Sequence, residues 1–356
     1  MENNYVVIMA GGVGSRFWPY SRTNNPKQFL DVLGIGSSLL RMTYERFLGV
    51  CPSENIFVVT NNHYYDLVKE QVPELSDNQI LLEPNRRNTA PCIAYAAYKI
   101  REKNKKANIV VAPSDHIIFK ENVFIQTINT ALKAASENDK LITLGIKPTR
   151  PETGYGYIQY IEEDGDIKKV KTFTEKPEQS LAVKFYESGD FLWNAGIFVW
   201  NVNTIINAFE KHLPDIYEIF TEGAGTYYTE KENDFIKSAY AQCKNISIDY
   251  GILEKSHNVY VVLGDFQWSD LGSWSSLHEI REKDENNNVI NANALTYESK
   301  DCVILGSKDK LIVVQGLENK LVADVDNVLL ICDKDDEKRI RTYVADAKNK
   351  MGEDFI

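Results

Sequence analysis

Long apolar runs, paired cysteines and a basic leader are all absent from this sequence of 356 residues. No apolar run approaches the roughly 20 residues of a membrane-spanning helix, so we expect neither an integral membrane protein nor a membrane partner. The first residues, MENN, lack the charged and apolar segments of a secretory signal, which predicts a cytoplasmic location. The five cysteines are widely scattered and form no C-x-x-C pair, so neither a disulfide framework nor a zinc site is expected.

An excess of positive charge is also lacking. The formal net charge is −11 at pH 7, which argues against nucleic acid as a partner. An acidic protein that binds an anionic ligand must concentrate its basic residues locally. The segment MAGGVGSRFWPYSRTNNPKQF, residues 9–29, combines glycines with two arginines and a lysine, and no carboxylate lies between Asn3 and Leu30. This segment therefore predicts an anion-binding loop.

Up to about residue 150 the chain alternates short apolar runs with segments of helical spacing. The runs are rich in β-branched and aliphatic residues, which is typical of strands buried on both faces. We predict such strands at residues 5–10, 56–60, 79–82, 108–113 and 141–146. This alternation predicts an α/β fold with a mainly parallel central sheet and helices on both faces. Ligands of such sheets bind at the carboxyl ends of the strands.

The pattern changes after about residue 285. Short apolar runs, separated by Gly, Asp, Asn or Lys, follow one another at 302–305, 311–314, 320–325 and 328–332. This regular spacing predicts a small β-structure, a few coils of a β-helix, closed by a charged helix. We therefore predict a catalytic domain over residues 1–284 and a small C-terminal domain over residues 285–356.

The sequence Gly11-Gly12-Val13-Gly14-Ser15-Arg16 directly follows the first predicted strand. Glycines let a backbone approach phosphate oxygens closely and present successive N–H groups to them. The dinucleotide-binding fingerprint would need a glycine at Phe17, and the P-loop would need Gly-Lys-Ser/Thr, so both are excluded. The remaining pattern, with Arg16 and Lys27 as cations, fits a polyphosphate. The alternative is a glycine-rich turn with solvated basic residues.

Asp115 lies in the sequence PSDH (113–116), at the carboxyl end of the fourth predicted strand. An aspartate in that position faces the ligand crevice. Mg2+ needs only one or two protein carboxylates besides phosphate oxygens, and Asp270 in WSDLGSW (268–274) is the predicted second carboxylate. The alternative for Asp115 alone is a turn or N-cap residue. A phosphate nucleophile is already ionised, so His116 is not needed as a base.

Two further regions carry polar groups suited to a sugar phosphate and a base. Glu175 and Asn194 offer the donors and acceptors that sugar hydroxyls need, and Lys176 offers a cation for a second phosphate. The alternative for Lys176 is an ordinary surface lysine. The segment LEPNRRNTAP (82–91) is either an exposed strand-to-helix loop or a site of base or phosphate recognition. Together these features predict a nucleotidyl or phosphoryl transferase, in which one phosphate attacks another in line and a diphosphate leaves.

Seven motifs occur in a fixed order from Ala10 to about Asp333: GGVGSRFWPYSRTNNPKQF, EPNRRNTAP, PSDH, FTEKP, WNAGIF, SIDYGILEK and WSDLGSW. With these motifs the sequence resembles bacterial mannose-1-phosphate guanylyltransferases, also called GDP-mannose pyrophosphorylases. The resemblance implies a GT-A-like, that is Rossmann-like, nucleotidyltransferase fold with a mixed, mainly parallel central sheet, followed by a short left-handed β-helix. It also implies Mg2+-dependent formation of GDP-mannose and pyrophosphate from GTP and α-D-mannose 1-phosphate.

The resemblance further implies roles for individual residues. A nucleotide-binding group, with the glycines and cations on the triphosphate and the other three near guanine, would comprise Gly11, Gly12, Gly14, Arg16, Lys27, Glu83, Asn88 and Ala90. A sugar-phosphate group would comprise Gly156, Glu175, Lys176 and Asn194. Asp115 and Asp270 would hold Mg2+. The catalytic residues would be Arg16, Lys27, Asp115, Lys176 and Asp270, and Asp249 is expected to support the site rather than touch a ligand.

Longer relatives of this family continue into a cupin-like phosphomannose isomerase domain. This chain stops after the β-helix-like segment, so the second activity is expected to be missing. A homodimer is the family expectation. Two alternatives stay open: the same reaction on another sugar 1-phosphate or nucleotide, and a non-catalytic regulatory subunit that binds sugar nucleotides. Lys27, Asp115, Lys176 and Asp270 are all present, which argues against the regulatory subunit.

Overall fold

The computed structural model describes residues 2–356, apart from the side chains of Glu337 and Lys338. The chain forms two compact units. The first unit comprises the residues up to Gly11, Thr43–Ser114 and Ile118–Trp268. The second unit comprises Gly12–Met42, Asp115–Ile117 and Ser269–Ile356. The boundaries of these units do not coincide with the domain boundary predicted between residues 284 and 285. That domain boundary stays a prediction.

Strands and helices alternate along most of the chain. The strands are β1 (Asn4–Met9), β2 (Ile56–Asn61), β3 (Ile80–Glu83), β4 (Asn108–Pro113), β5 (Ile117–Ile118), β6 (Leu141–Ile146), β7 (Tyr157–Tyr160), β8 (Ile167–Thr174), β9 (Phe191–Asn201), β10 (Val259–Leu263), β11 (Trp268–Ser269), β12 (Val289–Asn291), β13 (Asn293–Tyr297), β14 (Val303–Gly306), β15 (Leu311–Gln315), β16 (Lys320–Val325) and β17 (Val328–Asp333). The helices are α1 (Leu39–Phe47), α2 (Tyr65–Gln71), α3 (Thr89–Lys103), α4 (Glu121–Glu137), α5 (Gln179–Ser188), α6 (Val202–His212), α7 (Pro214–Thr221), α8 (Glu232–Gln242), α9 (Trp274–Ile280) and α10 (Glu337–Met351). Within residues 2–356, no helix combines the length and the apolar character that crossing a membrane requires.

A nine-stranded sheet forms the centre of the first unit, in the order β3-β2-β1-β4-β9-β6-β10-β8-β7. The pairs β1–β2, β1–β4, β2–β3 and β6–β10 are parallel. Strands β8 and β9 run antiparallel to their neighbours. The prediction of a mixed sheet is therefore confirmed, and the five strands predicted up to residue 150 correspond to β1, β2, β3, β4 and β6.

Burial on both faces explains why these strands are nearly continuous in apolar residues. Strand β2 is buried along its whole length, and β1 and β4 are buried at their central residues. Their side chains pack with those of α3, α6 and β9 in one core, which includes Val7, Val59, Ile93, Val111, Phe198, Trp200 and Phe209. Strand β8 (IKKVKTFT) lies beside the sheet edge and is exposed or half-buried except at Phe173, so it lacks the continuous apolar pattern of the central strands.

Parallel strands also stack in the C-terminal part of the second unit. Strands β12, β14 and β16 are parallel neighbours, and β13 pairs in parallel with β15. Stacked parallel strands are what the predicted coils require. The run at 328–332 is a correction, because β17 pairs antiparallel with β16 and is therefore not a further coil. Val325 faces Val328 across the two-residue turn Asp326-Asn327, and Asp326 supports this turn with a φ of 51°.

Candidate functional site

The glycine-rich loop after β1 is held by the segment Pro26-Lys27-Gln28. Gln28 Nε2 donates to the carbonyl of Gly12 at 2.9 Å, and Ser21 Oγ donates to the carbonyl of Val13. Gly14 has a φ of 68°, and a Cβ at this position would collide with the side chain of Lys27. A Cβ on Gly12, by contrast, would meet no atom within 4 Å in the described part of the chain. The loop is therefore fixed on one side and open at Gly12.

Lys27 connects three segments that are far apart in the sequence. Lys27 is only 3% exposed, and its Nζ donates to the backbone carbonyls of Asp270 at 2.9 Å and Leu271 at 2.8 Å. The same ammonium lies 2.9 Å from Asp115 Oδ2. We call Lys27, Asp115, Asp270 and Leu271 the Lys27 cluster. The structure thus brings together three of the predicted catalytic residues, and the alternative of a solvated lysine in a turn is wrong for Lys27.

Arg16 differs from Lys27 because its guanidinium makes no polar contact with the described residues. It lies half-buried in the short 3-10 helix Ser15–Phe17, directly after Gly14. Within residues 2–356 its guanidinium has no hydrogen-bond or ion-pair partner. A half-buried guanidinium keeps its five N–H donors available for an oxyanion. The loop therefore presents one open cation, Arg16.

The electrostatics of the Lys27 cluster keep Asp115 ionised. Burial opposes ionisation of this carboxyl, but the Lys27 ammonium, together with His116, outweighs burial and lowers the pKa of Asp115. Asp270 Oδ1 accepts the N–H of Gly272 at 3.1 Å. A Cβ on Gly272 would lie 2.6 Å from Asp270 Oδ2, so a glycine is needed for this carboxylate to fold back on its own loop.

The donor set of the Lys27 cluster fits a hard divalent cation whose coordination a substrate completes. No group of three or more His, Cys, Asp or Glu side chains in the described part of the chain could hold a metal ion alone. Mg2+ is commonly bound by one or two carboxylates, phosphate oxygens and water. The Asp115 carboxylate and the Asp270 backbone contact the same ammonium, so these two residues are neighbours that supply oxygen donors only.

A second cluster lies wholly within the first unit. Its Glu175 is 9% exposed, and Glu175 Oε1 pairs with the ammonium of Lys176. Glu175 Oε2 is buried and has no hydrogen-bond partner among the described residues. A Cβ on Gly156 would lie 2.5 Å from this oxygen, so glycine leaves the space beside it. We call Gly156, Glu175, Lys176, Asn194 and Asp249 the Glu175 cluster. Its buried, unpartnered carboxylate oxygen is an acceptor that a hydroxyl group would satisfy.

Asn194 is held rigidly at the side of Glu175. Its Nδ2 donates to Asp249 Oδ1 at 3.0 Å, and its Oδ1 accepts from Thr143 Oγ1 at 2.8 Å. Its backbone N–H donates to the carbonyl of Gly156 at 2.8 Å. Burial, and then the charge of Glu175, raises the pKa of Asp249. The contact between Asp249 and Asn194 is what the expected supporting role of Asp249 requires.

Lys176 keeps its charge despite the neighbouring protein. Burial lowers its pKa, but the carboxylates of Glu175 and Asp249 outweigh burial, so the pKa of Lys176 is raised. Its side chain is 57% exposed, and its φ of 46° is unusual for a residue other than glycine. Lys176 is therefore partly exposed, but it differs from an ordinary surface lysine because its ammonium is paired with the buried Glu175.

The residues expected near guanine are partly buried in the first unit. Glu83 is 6% exposed, and its Oε1 accepts from the hydroxyl of Tyr240 at 3.0 Å. Burial raises the pKa of Glu83 to about 7. Its other oxygen would lie 3.3 Å from a Cβ on Gly11, so Glu83 and the first glycine of the loop are neighbours. The exposed-loop alternative is therefore wrong for Glu83.

The other two residues of this group have structural contacts. Asn88 is exposed, has a φ of 66°, and accepts the N–H of Thr89 with its side-chain oxygen, which caps α3. Ala90 is fully buried, and its N–H donates to the carbonyl of Ile246 at 3.1 Å. The exposed-loop alternative thus describes Asn88 but not Ala90.

Sequence reasoning missed three residues that position these groups. Thr143 orients the Asn194 amide, Gln28 fixes the glycine loop, and Glu254 Oε1 accepts the backbone N–H of Glu175 at 2.9 Å. Gln28 and Glu254 lie inside recognised motifs, next to residues that were chosen. The signal for Thr143 was a lone hydroxyl in the apolar strand LITLGI.

Known proteins are similar to this chain over most of its length. A family model described as nucleotidyl transferase matches residues 5–287. The mannose-1-phosphate guanylyltransferase of Salmonella montevideo is 40% identical over 343 residues, which are 90% of this chain and 71% of that protein. The mannose-1-phosphate guanylyltransferase of Salmonella muenchen is 38% identical over 346 residues, which are 95% of this chain and 72% of that protein.

The fold has a close match among solved structures. A crystal structure described as a mannose-1-phosphate geranyltransferase from Thermus thermophilus aligns over 97% of this chain and 99% of its own chain. The TM-score is 0.87 and the sequence identity is 31%. The nucleotidyltransferase fold expected from the motifs is thereby confirmed.

Proposed function

The chain belongs to the mannose-1-phosphate guanylyltransferase family of nucleotidyl transferases, and from this premise we propose that it makes GDP-mannose and pyrophosphate from GTP and α-D-mannose 1-phosphate. The observation that carries the proposal is the Lys27 cluster, in which one buried ammonium joins Asp115 to the segment of Asp270. Nucleotidyl transfer between two phosphates needs this kind of fixed charge, because the protein contributes positioning and electrostatic stabilisation rather than a nucleophile of its own.

The triphosphate of GTP would bind to Gly11, Gly12, Gly14 and Arg16, and Lys27 would act on it through its charge, because its three donors already contact protein oxygens. The open space at Gly12 and the unpartnered guanidinium of Arg16 support this assignment. Backbone N–H groups of the loop would contact the phosphate oxygens, and Arg16 would supply a bidentate cation. Lys27 would stabilise the charge that develops on the departing pyrophosphate.

The base would be read by the segment at the end of β3. Glu83 lies next to Gly11, and a buried carboxylate at that position suits the N–H donors of guanine. Asn88 is exposed and has amide N–H donors besides the oxygen that caps α3. Ala90 would fix the segment through its bond to Ile246, because it is fully buried.

Asp115 and Asp270 would hold Mg2+. Nucleotidyl transferases of this family generally use a divalent metal ion, and the oxygen-only donor set of the two aspartates supports magnesium. When bound, the ion would neutralise phosphate oxygens of GTP. The lowered pKa of Asp115 supports this role, because a metal ligand must be ionised.

Mannose 1-phosphate would bind to the Glu175 cluster. The unpartnered Oε2 of Glu175 would accept a sugar hydroxyl, and Gly156 would leave room for it. Asn194 would contact a second hydroxyl, since Asp249 and Thr143 fix its amide. Lys176 would bind the sugar phosphate, which would compete with Glu175 for the ammonium.

The reaction would then be an in-line displacement. An oxygen of the sugar phosphate attacks the α-phosphorus of GTP, a new P–O bond forms, and the bond to the β-phosphate oxygen breaks. No general base is needed, because the attacking phosphate is already ionised. Arg16 and Lys27 would offset the negative charge of the triphosphate, and Lys176 would offset that of the sugar phosphate.

Several finer features belong to the same proposal. The parallel ladders of β12–β16 would be coils of a left-handed β-helix, in a C-terminal domain over residues 285–356 that follows a catalytic domain over residues 1–284. The parallel stacking supports this. The protein would act in the cytoplasm as a homodimer. Exposed apolar side chains on the C-terminal strands, including Leu311, Val313, Leu329 and Ile331, support self-association.

The direct test is pyrophosphate release with magnesium, with each common nucleoside triphosphate crossed against a panel of sugar 1-phosphates. We expect strong turnover for GTP with mannose 1-phosphate only. Strong turnover of another pair would overturn the proposed specificity. No turnover of any pair by folded protein would favour the regulatory-subunit alternative.

A further inference from the structure

A cavity of about 370 Å³ lies in the first unit, at the amino ends of β6 and β10. Its lining includes Asp139, just before β6, and the segment Ser256-His257-Asn258, just before β10. Asn194 of the Glu175 cluster pairs instead with Gly145, near the carboxyl end of β6. The length of β6 separates the two places by about 16 Å, at roughly 3.3 Å per residue. The cavity is therefore separate from the Glu175 cluster.

Basic side chains line much of this cavity. Lys169, Lys211, His212 and His257 line it, and Lys255 is close enough to influence His212. Burial, and then the charges of Lys211, Lys255 and His257, lowers the pKa of His212. The ammonium groups of Lys169 and Lys211 are a local positive charge in a protein with a net charge of −11, and such a charge attracts an anion.

These charges are not neutralised within the protein. In the part of the chain that the structure describes, neither Lys169 nor Lys211 has an ion-pair partner. Asp139 is the carboxylate in the lining, and its backbone carbonyl accepts from Asn258 Nδ2 at 3.1 Å. The side chains of Lys169 and Lys211 are exposed, so both ammonium groups are accessible to a ligand.

The cavity also contains an unused hydroxyl. Ser256 Oγ is buried and has no hydrogen-bond partner among residues 2–356. A buried hydroxyl without a partner is uncommon in native proteins, because it loses its bonds to water and gains none in return. Asn207 and Asn258 add further donors and acceptors to the same lining.

We propose that this cavity binds a small phosphorylated metabolite that carries hydroxyl groups. Lys169, Lys211 and His257 bind the phosphate, and the orphaned hydroxyl of Ser256 completes its bonds with the ligand. Asp139 accepts hydroxyl groups of the ligand, which an anion without hydroxyls cannot offer. The volume of about 370 Å³ falls in the range of ligand pockets and suits a sugar phosphate.

The test uses ribose 5-phosphate as the probe and the imidazole proton resonances of the full chain as the readout. The protein has five histidines, so the signals of His212 and His257 can be assigned by single substitutions. We expect ribose 5-phosphate to shift these two signals in a saturable way. The absence of a saturable shift at both would overturn the proposal.

Two matched variants give the second arm of the test. Lys169→Gln/Lys211→Gln removes two cavity charges, and we expect it to weaken the binding measured at His212 and His257 by about tenfold or more. Lys133→Gln/Lys184→Gln removes two exposed charges elsewhere in the first unit and should leave this binding unchanged. Equal affinities in the two variants would overturn the proposal.

Inorganic phosphate serves as the probe for the hydroxyl contacts. We expect phosphate to bind more weakly than ribose 5-phosphate, because it lacks groups for Asp139. Equal affinity of the two probes would overturn the assignment of a hydroxyl-bearing ligand. The site at Glu175 is not tested by these shifts, because His212 and His257 lie at the other end of β6. Failure here would therefore leave the proposed transferase function intact.

Discussion

The Lys27 cluster and the Glu175 cluster differ in how their buried polar atoms are satisfied. The ammonium of Lys27 uses three contacts with protein oxygens, which is the full donor capacity of a lysine. Glu175, in contrast, keeps one buried carboxylate oxygen without a partner among the described residues. The first cluster is thus electrostatically complete before any substrate binds, whereas the second cluster is completed by a ligand with hydroxyl groups.

The carboxyl groups of the two clusters also differ in pKa. Asp115 has a lowered pKa, because the cations of Lys27 and His116 outweigh burial. Asp249 has a raised pKa, because burial and then the like charge of Glu175 act in the same direction. A neighbouring lysine therefore keeps the carboxyl group of Asp115 ionised, whereas burial and a neighbouring carboxylate favour the protonated form of Asp249.

Lys27→Met should produce the largest effect, because it removes the charge that joins three segments. We expect turnover to fall about a thousandfold, as a lost cation destabilises the departing pyrophosphate. We also expect the free energy of unfolding to fall by about 3 kcal/mol, because two carbonyls and Asp115 lose their partner. Pyrophosphate release and urea unfolding measure the two effects. The control is Lys184→Met, on the exposed side of α5. Turnover within a few-fold of the wild type would contradict the role of Lys27.

Asp115→Asn tests the metal side of the same cluster. Turnover should fall about a hundredfold, since an amide is a poor ligand for a hard divalent cation. The fold should persist, because Lys27 keeps the carbonyls of Asp270 and Leu271 as acceptors. The magnesium concentration for half-maximal rate should also rise. An unchanged magnesium requirement would show that Asp115 does not hold the ion.

Lys176→Ala probes the Glu175 cluster. The KM for mannose 1-phosphate should rise about tenfold, through loss of a charge-assisted contact to the sugar phosphate. The KM for GTP should change less than about twofold, because the proposed nucleotide contacts lie elsewhere. Initial-rate kinetics with each substrate varied in turn measure both constants, with Lys184→Ala as the control. A larger effect on GTP than on the sugar phosphate would contradict the assignment.

The smallest effects concern pH and stability, and their signs are opposite in the two clusters. Asp115 has a lowered pKa, so its contribution to stability is present at neutral pH and is lost as the pH falls through the folded-state pKa. Asp249 has a raised pKa, so it costs stability as the pH rises above the usual range of an aspartate. The free energy of unfolding of Asp115→Asn should therefore decline less in acid than that of the wild type. The free energy of unfolding of Asp249→Asn should decline less than that of the wild type as the pH rises toward neutral. Wild-type slopes in both variants would contradict the electrostatic comparison.

Much of the first unit could be predicted from the sequence because its central strands are buried on both faces. The short, nearly continuous apolar runs of β1, β2 and β4 are typical of strands in the centre of a parallel sheet. Strand β8 has no such run, because its lysines occupy exposed or half-buried positions. The direction of β17 depends on the two-residue turn at Asp326, a hairpin signal that the regular spacing of apolar runs concealed.

The motifs identified the members of both clusters but not their contacts. Lys27 and Asp115 form an ion pair although they are about ninety residues apart in the sequence. No local sequence pattern predicts such a contact. The same holds for Thr143, whose hydroxyl orients Asn194 from another strand. The unpartnered oxygen of Glu175 is a property of packing, because it exists only where Gly156 approaches it.

Arg16→Gln and Glu175→Gln are the two variants that separate the functions of the clusters most clearly. These variants remove the open cation of the glycine loop and the open carboxylate of the Glu175 cluster, and the measurement is the KM of each substrate for both proteins. We predict a crossed result, in which Arg16→Gln raises the KM for GTP and Glu175→Gln raises the KM for mannose 1-phosphate. If both variants raise the same constant, the two clusters do not serve different substrates.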